Sequence, residues 1–247
     1  WEQYVAYLKG LVTGDLGPSY VYRDFTVDEL LRQGLPVSIQ LGGTALLLAL
    51  VVGAALGTYA AVRQNRPADV GVMTLAMVGI TIPNFVMAPV LTLVLAIWLG
   101  WLPAGGWGEG SLLHKILPIF TLALPQIAII ARLTRGSMIE VLRAHHIRTA
   151  RANGLPPAVV TRRALRGALL PVVSYLGPAA AALLTGSVVI ETIFGIPGIG
   201  RYFVQGALNR DYTLVMGTVV TVALFVVLFN LVVDLLYAVL DPKVRYD

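Results

Sequence analysis

Stretches of twenty or more residues with no charged side chain restrict this sequence more than any other feature. Val37 to Val62 is the first. At 1.5 Å per residue it is long enough to cross about 30 Å of hydrocarbon. Val70 to Gly108 is the second, too long for one helix. Pro83 and Pro89 lie inside it, and Trp98, Trp101 and Trp107 mark its far end. It reads as a kinked helix over 70–99 followed by an aromatic interfacial belt. A third span covers 114–135, with an uncharged core of Ile116–Ala131 so short that Lys115 and Arg132 are expected to snorkel. The fourth and fifth cover 168–191 and 213–240. The fold class this predicts is an all-α membrane protein of five spans.

Composition agrees. The chain is 57% hydrophobic and 13% charged, with mean hydropathy +0.79. A soluble domain carries about 25% charged residues. The net charge of +5 comes without a basic groove interleaved with aromatics, which argues against nucleic acid. There is no cysteine, hence no disulfide framework and no thiolate metal site.

The clustered arginines give an orientation. Segment 132–166 holds eight of them, at 132, 135, 143, 148, 151, 162, 163 and 166. Loop 63–69 adds Arg63 and Arg66, and the tail adds Lys243 and Arg245. The opposite side has half as many cations: Lys9, Arg23, Arg32, Lys115, Arg201 and Arg210. The positive-inside rule therefore puts loop 136–167 and the tail 241–247 in the cytoplasm, and 1–35 outside. A chain that starts outside implies a preceding span, and the first residue is Trp1 rather than Met. A sixth, N-terminal span is therefore expected.

Two local patterns stand out. Thr26 with Glu29 three residues later reads as a capping box opening a helix. Gly53 and Gly57 are spaced for close approach of another helix. In the basic loop, 138–153 lacks Gly and Pro and favours helix, Gly154 suits a helix C′ position, and Pro157 suits a following first turn. On that next helix Ala158, Leu165 and Leu169 share one face, with Arg162, Arg163 and Arg166 to the side. The result is a rigid knob, anchored to two spans and able to transmit a push from a soluble partner. The turn Gly195–Gly200 reads as a flexible re-entrant or surface loop.

The run Arg148-Thr149-Ala150-Arg151-Ala152-Asn153-Gly154, followed by Leu155 and then Ala168-Leu169-Leu170-Pro171, resembles the EAA loop of binding-protein-dependent ABC importers. Arg148 stands where the general pattern has Glu, and the glycine-to-Leu-Pro distance is longer; the peptide branch departs in the same way. Further segments resemble the B-type permease subunits of oligopeptide importers, in the same order: Gly14 to Ser19, Thr134 to Val141, Thr185 to Thr192, Gly195 to Gly200, Asn209 to Tyr212 and Asp241 to Tyr246. The resemblance covers essentially the whole chain. It implies a type I ABC importer transmembrane domain in the bacterial inner membrane. It implies a heterodimer with a C-type permease subunit, two ATPase subunits holding ATP and Mg, and an extracytoplasmic peptide-binding protein. It makes 148–155 the ATPase-coupling segment. It also sets Ile196, Pro197, Gly198, Ile199, Gly200 and Arg201 near the outer gate.

Chemistry on this chain is not indicated. The sequence has no GxxxxGK[ST] phosphate loop, no HExxH and no GxSxG. No cofactor or metal is expected on this subunit, and it reads as a non-enzyme. His145 and His146 are adjacent and diverge by about 100° on a helix, which does not suit a shared metal. Glu191 and Asp234 are read as capping or orienting helices rather than carrying protons. Asn84, Gln126 and Asn230 are read as interhelical hydrogen-bonding groups before path-lining ones. The resemblance favours oligopeptides as substrate, with dipeptides, nickel and other small solutes as the alternatives within the class, since no residue here reads peptide length or side chain. A self-sufficient secondary transporter is the rival from another class.

Overall fold

In a computed structural model describing residues 1–240, the chain is helical, with one isolated β-bridge described, Pro18 to Thr26. The tail 241–247, with its expected cytoplasmic placement, lies outside the described residues. The helices are α1 (Glu2–Thr13), α2 (Val27–Val62), α3 (Pro67–Thr81), α4 (Asn84–Leu91, continued by a π-helical stretch Thr92–Trp98), α5 (Leu112–Leu142), α6 (His145–Ala152), α7 (Pro157–Ala168), α8 (Leu170–Phe194), α9 (Ile199–Leu208) and α10 (Tyr212–Leu240).

Among the described residues three helices are long and apolar enough to cross a membrane: α2, α5 and α10. Three bent pairs also qualify together. The region read as a kinked helix over 70–99 is in fact broken, α3 and α4 meeting at 106°. The residue before a proline is pushed out of helical conformation, and Ile82, preceding Pro83, is extended at φ −86°, ψ 118°. The break between α7 and α8 is milder, 50°.

Helix α2 begins earlier than its apolar run. The backbone N–H of Thr26 donates to Glu29 Oε2 at 3.0 Å, one half of the expected capping box. The helix then continues through Pro36, ahead of the Val37 start of the uncharged run. Burial explains the extension: Leu30, Leu31, Ser38 and Leu41 are all buried at helical spacing, and packing overrides the local cost of a proline.

The residues fall into two compact units. The first comprises Trp1–Gly43, Asn84–Thr121 and Ala182–Val227; the second comprises Thr44–Pro83, Leu122–Ala181 and the chain from Leu228. The first has a core of Val27, Leu30, Leu31, Ile199 and Leu214. Within it Lys115 is held by neighbouring side chains. It is 8% exposed, donates to Gln40 Oε1 at 3.2 Å and sits 4.7 Å from the centre of the Trp107 ring. That hydrogen bond and the π-face compensate the buried ammonium.

In the second unit, Gly53 and Gly57 of α2 lie against α5. A side chain at Gly53 would meet Ile127 and Ile130; one at Gly57 would meet the Ala131 backbone and Thr134. The small-residue spacing thus marks a real helix crossing. The turn after α2 is fixed to α5 by charge. Arg135 donates to both oxygens of the buried Asp69, at 2.6 and 2.7 Å, and Asp69 accepts the Asn65 N–H at 2.8 Å. Gln126 accepts the Tyr175 hydroxyl at 2.8 Å. This fits its reading as an interhelical hydrogen-bonding group.

Candidate functional site: a basic helical knob and a pinned turn

The knob belongs to the second unit. The expected single helix over 138–153 is interrupted: α5 ends at Leu142 and α6 starts after an extended Ala144 at φ −66°, ψ 152°. The interruption re-aims the chain so that Ile147 and Ala150 turn inward. They join a cluster with Ala61, Met138, Val160, Ala164 and Ala168, and Leu142 and Leu155 pack on its edge. The apolar line on α7 is accordingly Val160–Ala164–Ala168; Ala158 is exposed, and Leu165 and Leu169 are only partly buried. The sequence face was misplaced because alanines at i, i+4 and i+8 carry little hydrophobic signal yet allow close packing. Arg162, Arg163 and Arg166 are exposed, as read.

Helix α6 stops as a Schellman motif. Gly154 has φ +74°, its N–H donates to the Arg151 carbonyl at 3.0 Å, and the Leu155 N–H donates to the Ala150 carbonyl at 3.3 Å. Pro157 then stands in the first turn of α7. Of the segment 148–155, Arg148, Thr149, Arg151, Ala152, Asn153 and Gly154 are exposed, Ala150 is buried and Leu155 is half-buried. The knob thus offers one polar, cationic face and is held from behind by an apolar core.

The turn 195–200 belongs to the first unit. Of the two alternatives read for it, re-entrant or surface loop, burial excludes the surface loop: Ile196, Gly198, Ile199 and Gly200 are buried and Pro197 is half-buried, while Gly195 and the following Arg201 are exposed. It joins two helical segments, Gly186–Phe194 and α9, at 85°. Helix α8 ends in the same Schellman manner, with Gly195 at φ +66° and the Ile196 N–H on the Glu191 carbonyl at 2.8 Å.

What pins the turn is the fully buried Glu191. One carboxylate oxygen accepts the Ser38 hydroxyl at 2.7 Å, and the other accepts the Gly200 N–H at 2.8 Å. Ser38 Oγ in turn accepts the Ile199 N–H at 3.0 Å. Two of the four orphan donors at the start of α9 are thereby satisfied. A side chain at Gly198 would collide with the Glu191 carboxylate and Ser38, and one at Gly200 with the Val188 backbone. Glu191 therefore orients a helix start, as read. Its partner Ser38 was missed, since an isolated serine 153 positions away carries no sequence signal.

A second buried carboxylate ties two motifs that the sequence reading kept separate. Asp211 accepts the Ser19 hydroxyl at 2.5 Å and the N–H groups of Tyr20 and Val21 at 2.9 and 3.1 Å. Its other oxygen accepts the Thr213 hydroxyl at 2.9 Å and the Leu214 N–H at 3.1 Å, capping α10. Burial pushes the Asp211 carboxyl upward, but the Ser19 hydroxyl and the backbone N–H donors outweigh it and hold it below the ordinary aspartate range.

Comparison with known proteins places this geometry. Residues 53–246 match the family described as binding-protein-dependent transport system inner membrane component. The chain is 51% identical to the oligopeptide transport system permease protein OppB of Haemophilus influenzae, over 100% of this chain and 81% of that protein. It is 56% identical to the Salmonella typhimurium protein of the same name, over 99% and 80%. The dipeptide transport system permease protein DppB of Bacillus subtilis is 46% identical over 98% and 79%. Among solved structures, a chain of the inward-facing MetNI methionine ABC transporter is similar in fold, with TM-score 0.73 and 18% identity, over 86% of this chain and 96% of that one.

Proposed function

This chain belongs to the family of binding-protein-dependent transport system inner membrane components, and on that premise we propose that it is the B-type permease subunit of an oligopeptide importer driven by separate ATPases. In this reading loop 136–167 faces the cytoplasm, 1–35 faces outward, and the spans carry a peptide between them. Two ATPase subunits, holding ATP and Mg, press on segment 148–155. A second, C-type permease subunit completes the pathway, and an extracytoplasmic binding protein delivers peptide near 196–201.

The observation that supports it most is the knob. An exposed cationic helix backed by the Ile147–Met138–Val160–Ala164 core behaves as one body, so force applied to α6 is passed to α5 and α7 instead of being absorbed in a loop. Alternating access then follows from differential binding. The ATPases prefer one arrangement of the knob when closed on ATP, and the spans shift with it. Glu191 and Ser38 keep the start of α9 attached to α8 and α2, so the turn travels with those helices during the shift.

Reconstitution in liposomes tests the proposal. Peptide uptake is expected only when this chain is assembled with its second permease and the ATPases, with ATP present. Uptake driven by an ion gradient through this polypeptide alone overturns it.

A further inference from the structure

The knob carries an unexplained feature beside its coupling face. A recess of about 300 Å³ opens where the ends of α2, α5 and α6 meet. Its polar lining is Gln64, Arg66, Arg143 and Arg151, and no carboxylate lines it. Among the described residues none of these three arginines has an ion-pair partner. Arg143 reaches only Gln64 Oε1, at 3.4 Å. The acid of the neighbouring turn, Asp69, is already held by both arms of Arg135. All three arginines are exposed and all three line the recess, so an anion seated there meets three guanidinium donors.

The surroundings indicate which anion. The recess also touches Val62, the last residue of an exposed apolar stripe on α2. That stripe runs through Leu47, Val51, Ala55 and Tyr59 at helical spacing, with Leu47 63%, Val51 67% and Val62 53% exposed. Arg63 lies over the Tyr59 ring, 4.0 Å from its centre. A tyrosine and an arginine side by side at the end of an apolar helix are the signature of headgroup depth. On a helix that crosses the membrane the stripe lies in hydrocarbon, so an anion held beside its end sits at the depth of lipid headgroups.

We infer that the Arg66–Arg143–Arg151 recess seats the phosphate of an anionic phospholipid whose acyl chain lies along the Leu47-to-Val62 stripe. Its assignment to the cytoplasmic leaflet rests on the orientation proposed above, but binding itself does not. Phosphate oxygens match guanidinium donors in pairs, and basic recesses between membrane helices at this depth favour anionic headgroups.

The test uses the assembled importer, purified and delipidated in detergent, then titrated with phosphatidylglycerol, phosphatidylcholine or inorganic phosphate. Retained lipid is counted by native mass spectrometry and stability read by thermal shift. Phosphatidylglycerol is expected to bind and to raise the melting temperature, with phosphatidylcholine and phosphate at matched concentration doing neither. R66Q/R143Q is expected to weaken phosphatidylglycerol binding about tenfold or more, as the loss of two cationic contacts implies. R66K/R143K, which keeps the charge, is expected to retain much of the binding and guards against misfolding. R162Q/R163Q, at exposed positions of α7 that do not line the recess, is expected to bind as the parent does. Equal binding of both lipids, or unchanged binding by R66Q/R143Q, overturns the inference. So does an equal thermal shift from phosphate alone, which would make the recess a plain anion site. Phosphatidylglycerol binding to the permease subunits that vanishes once the ATPases are added also overturns it, by making the recess their seat.

Discussion

Helices α6 and α8 end in the same way and then diverge. Each closes with a Schellman motif on a left-handed glycine, Gly154 or Gly195, and each is followed within three residues by proline. After Gly154 only Leu155 is half-buried and 156–159 are exposed, and a side chain at Gly154 would meet nothing within 4 Å. After Gly195 the chain turns inward, and Gly198 and Gly200 are glycine because Glu191, Ser38 and the Val188 backbone occupy the space. One site therefore needs glycine for its backbone angle and the other for its lack of volume. The exposed turn leaves a surface free for a partner. The buried turn fixes the junction of three helices.

The comparison breaks most sharply at Gly200. A methyl group at that position points into the Val188 backbone, which has no rotamer by which to yield. Gly200→Ala is expected to cost about 3 kcal/mol or more, in the range of severe overpacking. Protease resistance and the melting temperature of the purified importer read it. Gly200→Ala as stable as the parent would mean that α8 and α9 do not meet as described.

A second experiment asks whether Glu191 and Ser38 act together. Glu191→Ala leaves the Gly200 N–H without an acceptor, and Ser38→Ala does the same to the Ile199 N–H. Each is expected to cost about 1–3 kcal/mol, with the double variant costing less than the sum because the two share one network. Strict additivity in thermal or denaturant unfolding would show the two donors to be satisfied independently.

Legibility in the sequence followed the same division. The apolar runs announced α2, α5 and α10, and Thr26 with Glu29 announced the start of α2. The knob's terminator was readable too, because Gly154 and Pro157 act through local backbone geometry. The burial of the turn 195–200 was not legible, because it is pinned by Ser38 and Glu191, whose contact spans 153 residues. The same holds for Ser19 with Asp211, 192 residues apart. The α7 face was misplaced at all three positions, since Ala164 and Ala168, which pack beside Val160 by being small, carry little hydrophobic signal. The family membership was legible because motifs preserve order even where the contacts between them are invisible.

Gly154 sharpens the contrast from the other side. Gly154→Ala meets no neighbour but forces a Cβ into the left-handed region, a cost of about 1–2 kcal/mol. Gly154→Asn is expected to be milder, since Asn tolerates that region. Gly154→Val adds a branched side chain to the strain and is expected to abolish peptide uptake and weaken retention of the ATPase subunits in a pull-down, while the subunit still inserts. Normal uptake by Gly154→Val would count against coupling through 148–155.

The smallest effect is expected at Asp211, whose contribution depends on pH. Its folded pKa lies below its ordinary value, so the stability it confers is complete above the ordinary aspartate range and is lost as pH falls through the depressed folded value. At neutral pH, Asp211→Asn keeps one acceptor oxygen and places an amide donor against N–H and hydroxyl donors, an expected loss of about 1 kcal/mol. The parent should therefore lose melting temperature on acidification below the ordinary aspartate range, and Asp211→Asn should show a shallower acid limb. The Gly154 variants, which alter no titrating group, should keep the parent's slope. If Asp211→Asn and the parent fall in parallel through that acid range, the carboxylate is not the charged cap that joins Ser19 to the start of α10.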